Sequence, residues 1–207
     1  MIRRATPADP LRVAVLVSGS GTNLQALLVR FAAPGSCARI VAVGSSNGEA
    51  GGLERARRAA VPAAVFPSAS DRDARVAAWL RSVDAELVVL AGFMVILGPE
   101  ALGVAPVLNL HPSLLPAFPG ADAIGQALAH GARVTGVTVH LVDAGIDTGP
   151  IVLQEAARVG YHDDAPTVAA RLRLIEHRLL PDAVELVAQD RLRVHGRITE
   201  LERGPEG

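Results

Sequence analysis

Three polar segments of this 207-residue chain combine residue types that can bind an anion or assist a reaction. The first, residues 18–23, reads Ser-Gly-Ser-Gly-Thr-Asn and follows a β-branched run. Glycines allow a close backbone approach, and the free amides at the start of a helix suit a phosphate group. Leu24 stands where a dinucleotide fingerprint needs its third glycine, and a Walker loop would need a lysine. We expect an anion site here, with a plain turn capped by Thr22 or Asn23 as the alternative.

The second segment pairs an amide with an imidazole near the end of a predicted strand. Asn109 and His111 are two residues apart, so a strand that runs through position 111 projects both side chains to one face. Such a pair of donors can stabilise an oxyanion. Pro112, Pro116 and Pro119 follow, and they favour a rigid loop that positions a catalytic group. The alternative is a histidine that only hydrogen-bonds its own loop.

The third segment, residues 143–150, is a glycine-containing loop with two carboxylates, Asp143 and Asp147. Acids in such loops commonly cap helices or contact solvent. If Asp147 lies beside His111, each group favours the charged form of the other. Spacing along the chain does not fix that distance.

Two further patterns are considered. Residues 44–48 fit the G-x-S-x-G elbow of serine hydrolases around Ser46, although serine, asparagine and glycine are ordinary turn residues and a turn is the preferred interpretation. His140 lies in a predicted strand, and the sequence leaves open whether it lines a pocket or packs in the core. No histidine or acid cluster has a recognisable metal-ligand spacing, so no metal is expected. The histidines expected at the surface are His130, His162 and His195.

Short apolar runs alternate with helix-like stretches along the chain. The run 87–91 is continuously apolar, as in a strand covered on both faces, whereas Leu24, Leu27, Leu28 and Phe31 recur at helical spacing. The alternation predicts an α/β fold: an open, mostly parallel, Rossmann-like sheet with helices on both faces. Ligands then bind outside the carboxyl ends of the strands. The predicted strands are 12–17, 39–44, 63–66, 87–91, 106–110, 135–142, 150–155 and 192–198, and further helices are 52–60, 71–82 and one beginning near Asp164.

Composition excludes several classes of function. The chain is 50% apolar with a formal net charge of −1, which gives no broad basic surface for nucleic acid or membrane. It contains no lysine, which excludes Schiff-base chemistry, and its single cysteine, Cys37, permits no intrachain disulfide. No apolar run approaches the roughly 20 residues of a membrane span, and no signal peptide is recognised. We expect one cytoplasmic domain over residues 1–207, with flexible ends at 1–10 and 200–207.

Six ordered segments resemble the glycinamide ribonucleotide formyltransferases, folate-dependent enzymes of purine synthesis. The resemblance implies the formyltransferase fold and transfer of a formyl group from 10-formyltetrahydrofolate, the co-substrate, to the amine of glycinamide ribonucleotide. It implies small-molecule partners and no metal or redox cofactor, and it leaves a homodimer open. The segments are 18–25, 52–56, 90–97, 108–120, 135–150 and 175–181.

The resemblance also implies roles for particular residues. Asn109, His111 and Asp147 match the catalytic trio of that family. Residues that match the ribonucleotide site are Gly21, Thr22 and Asn23 in the phosphate loop, with Arg173 and Glu176. Residues that match the folate site are Arg72, Met94, Val95, Ile96, Leu97, Asn109, Asp143, Ala144, Gly145, Ile146 and Asp147.

Three positions depart from the family pattern. Val95 stands where an arginine is usual, Ile124 where a histidine is expected, and Gly125 where a larger polar residue is usual. Two alternatives to the transferase follow. A formyltetrahydrofolate hydrolase would use water in place of the amine, although the phosphate-loop match disfavours it. A catalytically degenerate nucleotide-binding protein would keep ligand binding and lose turnover.

Overall fold

A seven-stranded sheet forms the centre of the computed structural model, which describes residues 3–202. Its strands are β1 (Leu11–Val17), β2 (Ala38–Ser45), β3 (Ala63–Val65), β4 (Leu87–Leu90), β5 (Val107–His111), β6 (Val134–Leu141) and β7 (Ile151–Arg158). The helices are α1 (Thr22–Phe31), α2 (Gly51–Arg58), α3 (Arg72–Ser82), α4 (Pro99–Leu102), α5 (Ala123–Ala129) and α6 (Ala165–Ala188). A two-stranded hairpin, β8 (Leu192–His195) and β9 (Ile198–Leu201), follows them.

The order of strands across the sheet is β3-β2-β1-β4-β5-β6-β7. Neighbours from β3 to β5 run parallel, whereas β6 is antiparallel to β5 and β7 is antiparallel to β6. The expected α/β fold with an open, mostly parallel sheet is therefore confirmed. The direction of strand order reverses between β1 and β4, and ligands bind at such switch points in open α/β sheets.

Helices cover both faces of the sheet, which explains the continuous apolar runs in the central strands. Val13 and Val15 of β1 join α1 and α6 in one core cluster. Ala14 and Leu16, which alternate with them, join α3 in a second cluster on the opposite face. Because successive residues of a strand point to opposite faces, every position of a doubly covered strand favours an apolar residue.

The start of α6 follows the pattern expected from the sequence. Asp164 precedes the helix, and its side chain accepts a hydrogen bond from the Thr167 amide at 2.9 Å. Pro166 lies in the first turn, where a missing amide hydrogen costs the helix nothing.

The carboxyl-terminal region differs from the prediction. The single strand expected over residues 192–198 is wrong, because Gly196 adopts a φ of 63° and turns the chain back, so that β8 and β9 pair antiparallel. The short helices α4 and α5 were not predicted, since neither is long enough to show a helical repeat. Strand β7 extends three residues further than expected, to Arg158.

The amino-terminal segment contacts the sheet domain. Ala5 is buried and its amide donates to the carbonyl of Ala188, while Arg3 donates to Glu86 at 2.6 Å. The expected single domain and flexible ends at 1–10 and 200–207 stay predictions, and residues 1–2 and 203–207 lie outside the described part of the chain. Within residues 3–202, no helix has the length and apolar content to cross a membrane.

The packing of α6 on the sheet gives a stability prediction. Leu172 is fully buried in the larger core cluster, whereas Leu174 on the same helix is 74% exposed. We expect Leu172→Ala to lower the free energy of unfolding by about 2–5 kcal/mol, because it removes buried methyl groups and leaves a cavity. Leu174→Ala is the matched control and should change the free energy of unfolding by less than about 0.5 kcal/mol. Urea unfolding measures both, and equal effects would contradict the packing described.

Candidate active site

The carboxylate of Asp147 lies at the centre of the candidate site. Asn109 Nδ2 donates to Asp147 Oδ1 at 3.2 Å, and His111 Nδ1 lies 3.2 Å from Oδ2. The Gly120 amide also donates to Oδ2, at 2.8 Å. Asn109 and His111 both lie on β5, at its carboxyl end, and their spacing of two residues turns both toward the same carboxylate. The structure thus brings together the three residues expected to form the catalytic trio.

Both ring nitrogens of His111 face hydrogen-bond acceptors. Nε2 lies 2.8 Å from the carbonyl oxygen of Phe118, and Nδ1 lies against the Asp147 carboxylate. A carbonyl and an ionised carboxylate only accept, so each nitrogen needs a proton to form its bond. This buried histidine is therefore surrounded by acceptors, with the Asp147 carboxylate on one side and the Phe118 carbonyl on the other.

His140 is a member of the site that the sequence did not assign. It is buried in β6, opposite Asn109 in the antiparallel register. Its Nδ1 lies 2.9 Å from the Leu141 carbonyl, and its Nε2 lies 3.2 Å from Asn109 Nδ2 and 3.4 Å from Asp147 Oδ1. The side chain both packs in the core and contacts the site. The only signal that could have found it is the β5–β6 pairing, which the sequence does not display.

The electrostatic environment of Asp147 combines opposing effects. Burial by itself raises its pKa and is the largest single influence. Hydrogen bonds from His140 and the Gly120 amide, with the charges of His111 and His140, outweigh burial, so the pKa of Asp147 lies below its ordinary value of 3.8. The carboxylate is therefore ionised at neutral pH, as its role of counter-charge requires.

The glycine-rich segment leads directly into α1. Gly21 precedes the helix in the left-handed region, with φ 71° and ψ 30°, a conformation that glycine adopts without a steric penalty. No side chain in the described part of the chain caps this end, so the predicted alternative of a Thr22 or Asn23 cap is wrong. The first amides of α1 remain available, which is the property an anion site needs.

Residues 18–23, called the anion-binding loop for the role expected of them, are joined to α6 by a hydrogen bond. Asn23 Nδ2 donates to Glu176 Oε2 at 2.9 Å, which joins two residues expected to bind the ribonucleotide. The other amide atom, Asn23 Oδ1, is buried and has no partner within residues 3–202. Arg173 is exposed one turn earlier on α6. It forms no hydrogen bond to the loop among the described contacts.

Residues 94–97 follow β4 on the other side of the switch point. Met94 and Ile96 are 82% and 80% exposed, whereas Leu97 is buried. The Met94 amide donates to Ser18 Oγ at 2.9 Å, so the segment expected to bind folate is joined to the anion-binding loop.

The other residues expected to contact folate lie on α3 and on the loop after β6. Arg72 begins α3, and its neighbour Asp73 accepts from the Gly98 amide at 2.7 Å, which holds α3 beside residues 94–97. In the loop 143–147, Asp143 Oδ1 accepts from the Gly145 amide at 3.0 Å and from Thr148 Oγ1. Ala144 and Ile146 are exposed. Within this loop, Asp147 is the residue that hydrogen-bonds to Asn109 and lies against His111.

Comparison with known proteins identifies the family. Residues 11–184 match the family model described as formyl transferase. The chain belongs to the formyl transferase family. The fold and the family resemblance predicted from the sequence are both confirmed.

Individual relatives of this formyl transferase agree with that assignment. Phosphoribosylglycinamide formyltransferase of Mycobacterium tuberculosis is 44% identical over 208 residues, which cover 97% of this chain and 95% of that protein. Glycinamide ribonucleotide transformylase 1 of Symbiobacterium toebii has a crystal structure with a TM-score of 0.87 and 44% identity, covering 93% of this chain and 94% of that one. The crystal structure of a formyltetrahydrofolate deformylase of Pseudomonas syringae has a TM-score of 0.86 and 28% identity, covering 94% of this chain and 67% of that one.

The departures from the family pattern have local explanations in this formyl transferase. Ile124 is half-buried and packs against the larger core cluster, and Val95 packs against the second one. The Gly125 amide donates to Asp122 Oδ1 at 3.2 Å. A Cβ atom at position 125 would lie 2.2 Å from Asp122 Oδ2. The Asp122 carboxylate that caps α5 therefore occupies the space beside Gly125, and a side chain at position 125 would need the carboxylate to shift.

The serine-hydrolase interpretation finds no support at Ser46. Its hydroxyl lies 2.6 Å from Ser18 Oγ, and no histidine or carboxylate of residues 3–202 hydrogen-bonds to it. His130, His162 and His195 are exposed, as expected. Among the described residues, no group of three histidine, cysteine or acidic side chains is placed to hold a metal ion.

The lowered pKa of Asp147 gives a pH-dependent stability prediction. Asp147→Asn should lower the free energy of unfolding at pH 7 by about 1–3 kcal/mol, because hydrogen bonds to a charged acceptor are lost. A carboxylate with a depressed pKa stabilises the fold above its unfolded-state value, 3.8, and this contribution is lost as pH falls through the lower folded-state pKa. The difference between the two proteins should therefore narrow below pH 3.8.

Urea unfolding at pH 7 and pH 3 tests this prediction. The matched control is Asp84→Asn, because the Asp84 side chain is 82% exposed and lies far from the site in the fold. A difference for Asp147→Asn that stays constant with pH would show that the carboxylate charge is not what stabilises the fold.

Proposed function

We propose that this formyl transferase moves the formyl group of 10-formyltetrahydrofolate to the amine of glycinamide ribonucleotide, in purine biosynthesis. The observation that carries the proposal is the cluster of Asn109, His111 and Asp147 at the carboxyl end of β5. The uncapped start of α1 follows the carboxyl end of β1, on the same side of the sheet. The M. tuberculosis and S. toebii relatives are named for this substrate, and both are 44% identical to this chain. The P. syringae deformylase is only 28% identical, which supports the transferase over the hydrolase alternative.

The residues of the trio can stabilise charge on the formyl group. Attack of a neutral amine on the formyl carbon develops negative charge on the formyl oxygen, and positioned hydrogen-bond donors stabilise it. In this proposal Asn109 Nδ2, which faces Asp147 Oδ1 and His140 Nε2 in the unliganded arrangement, exchanges one of these contacts for the formyl oxygen. His111 supplies positive charge and an N–H. In the unliganded arrangement the His111 Nε2 hydrogen is held by the Phe118 carbonyl. We infer that the formyl oxygen replaces that carbonyl as acceptor when the substrates bind.

Asp147 keeps the site charged and directs the proton. In this proposal its carboxylate, 3.2 Å from His111 Nδ1, is the counter-charge of the protonated imidazole during the reaction. The attacking amine loses a proton as the carbon–nitrogen bond forms, and the departing folate nitrogen gains one as its bond to the formyl carbon breaks. Asp147, directly or through water, carries that proton between the two nitrogens.

The substrates occupy the two sides of the switch point in this proposal. The phosphate of the ribonucleotide binds the amides of Gly21, Thr22 and Asn23, with Arg173 and Glu176 holding the rest of it. The folate lies along the segments that begin at Arg72, Met94 and Asp143, and extends to Asp147. No residue here needs a metal ion for its role, and the absence of a metal or redox cofactor stays a prediction. A homodimer, the absence of nucleic-acid partners and the cytoplasmic location also stay predictions.

A turnover assay separates the transferase from the two alternatives. We expect release of tetrahydrofolate from 10-formyltetrahydrofolate only when glycinamide ribonucleotide is present. Release without the ribonucleotide would indicate a hydrolase. Binding of both ligands, measured as an increased melting temperature without turnover, would indicate a degenerate binding protein.

Substitution of His111 tests the mechanism. His111→Ala should lower kcat by about 10²–10⁴-fold, because both the donor and its positive charge are lost. His162→Ala is the matched control, since His162 is exposed and lies outside the site. Steady-state kinetics of variants whose melting temperatures match the wild type measure the effect. A His111→Ala enzyme with most of its activity would remove His111 from the mechanism.

A further inference from the structure

Residues 52–56 belong to the family resemblance, yet no role in the reaction has been given to them above. In the structure they lie in α2, whose first turn packs against the anion-binding loop. The Gly52 amide donates to the Gly19 carbonyl at 3.1 Å. A Cβ atom at Gly21 would lie 2.5 Å from Gly52 Cα, so the two backbones are in direct contact. Helix α2 therefore packs directly against the loop.

Arg55 is the polar connection between α2, the loop and α1. Its Nε donates to the carbonyl oxygen of Ser20 at 2.8 Å, and its Nη1 donates to Gln25 Oε1 at 3.0 Å. Ser20 lies in the loop and Gln25 lies in the first turn and a half of α1. One rigid guanidinium thus fixes the loop relative to the helix whose amides are free.

The charge of Arg55 also distinguishes it from its neighbours. Arg57 and Arg58, on the same helix, both pair with Glu54 at 2.7 Å. Within residues 3–202, Arg55 forms no ion pair with a carboxylate. Its positive charge is therefore not neutralised, and it lies beside the loop that is expected to hold a phosphate.

The orientation of the Ser20 carbonyl matters for anion binding. This carbonyl immediately precedes the amides of Gly21 and Thr22, and a carbonyl oxygen directed at an anion would repel it. Arg55 binds that oxygen, so the peptide between Ser20 and Gly21 is held in one orientation. The left-handed φ of Gly21 is maintained by the same contact.

We infer that Arg55 is a positioning residue for the anion-binding loop, which it holds in its binding conformation through Ser20 and Gln25. This inference rests on the proposed function and deepens it, because it assigns a role in ribonucleotide binding to α2. Among the described hydrogen bonds, Arg55 contacts Ser20 and Gln25 and neither Ser18 nor residues 94–97, so we expect it to act mainly on the KM for the ribonucleotide.

Two substitutions of Arg55 test the inference in steady-state kinetics. Arg55→Ala and Arg55→Lys should both raise the KM for glycinamide ribonucleotide by about tenfold or more, because two hydrogen bonds that fix the loop are lost. The KM for 10-formyltetrahydrofolate and kcat should change by less than about twofold, since a contact confined to one substrate alters the binding of that substrate alone. Lysine keeps the positive charge but lacks the planar guanidinium that donates to Ser20 O and Gln25 Oε1 together. Arg58→Ala is the matched control and should behave as the wild type.

Three results would overturn the inference. A wild-type KM for the ribonucleotide in Arg55→Lys would show that charge alone is sufficient. An equal rise in both KM values would indicate general structural damage, and an unchanged KM in Arg55→Ala would show that the contacts have no effect.

Gly51→Ala approaches the same carbonyl from the other side. A Cβ atom there would lie 3.2 Å from Ser20 O, close enough to displace the peptide by a few tenths of an ångström. Alanine favours a helix over glycine whereas the contact with Ser20 O opposes it, so the melting temperature should change little. A merely structural role would therefore leave the KM for the ribonucleotide unchanged, whereas we expect it to rise about threefold, the effect of weakening one hydrogen bond. Gly48→Ala is the control, since its Cβ would lie 3.9 Å from its nearest neighbour.

Binding of inorganic phosphate separates this inference from the proposed function. If the wild-type protein forms no tetrahydrofolate with the ribonucleotide, the proposed function fails, and the inference is then tested by the dissociation constant for phosphate, measured by calorimetry. Phosphate binding that is about tenfold weaker in Arg55→Ala than in Arg58→Ala supports it, as expected from the loss of two hydrogen bonds. Equal affinities, or no phosphate binding by the wild type, overturn it.

Discussion

The contact between Asp147 and His111 is the constraint on which the arrangement of the site depends. A half-buried carboxylate is stable in its ionised form only with enough hydrogen-bond donors around it. Asp147 meets this requirement, because it accepts from Asn109 and from the Gly120 amide while it faces His111. One carboxylate thereby holds β5, the loop that follows it and the loop after β6 in a fixed relation. A change in any of these segments alters the position of a reacting group.

The sheet supplies the second constraint, which is where the two substrates can meet. Strand order reverses between β1 and β4, and in open α/β sheets ligands bind at such a switch point. Ser18 joins the segments that follow β1 and β4, since its hydroxyl accepts from the Met94 amide and contacts Ser46. The loop expected to hold a phosphate and the segment expected to contact folate are therefore coupled by hydrogen bonds. Helix α2 contacts the anion-binding loop through the hydrogen bond from Arg55 to the Ser20 carbonyl.

The positions that depart from the family pattern show how this chain keeps its fold with different residues. Val95 and Ile124 replace polar residues and pack against the two core clusters. At α5, Asp122 caps the helix and Gly125 leaves the space that the carboxylate occupies. The contacts of Asp147 with Asn109, His111 and the Gly120 amide are formed with these residues present.

The sequence by itself determined the periodic features and the local motifs of this protein. Alternating apolar runs and stripes follow from burial, so the α/β sheet and the spacing of Asn109 and His111 on one strand face were predictable. Only the tertiary structure decided which strands pair, because pairing depends on contacts between residues far apart in sequence. It therefore placed His140 opposite Asn109, brought Asp147 to His111 and set Arg55 against Ser20. The carboxyl-terminal hairpin was missed for a local reason, since a single left-handed glycine redirects a run that otherwise resembles one strand.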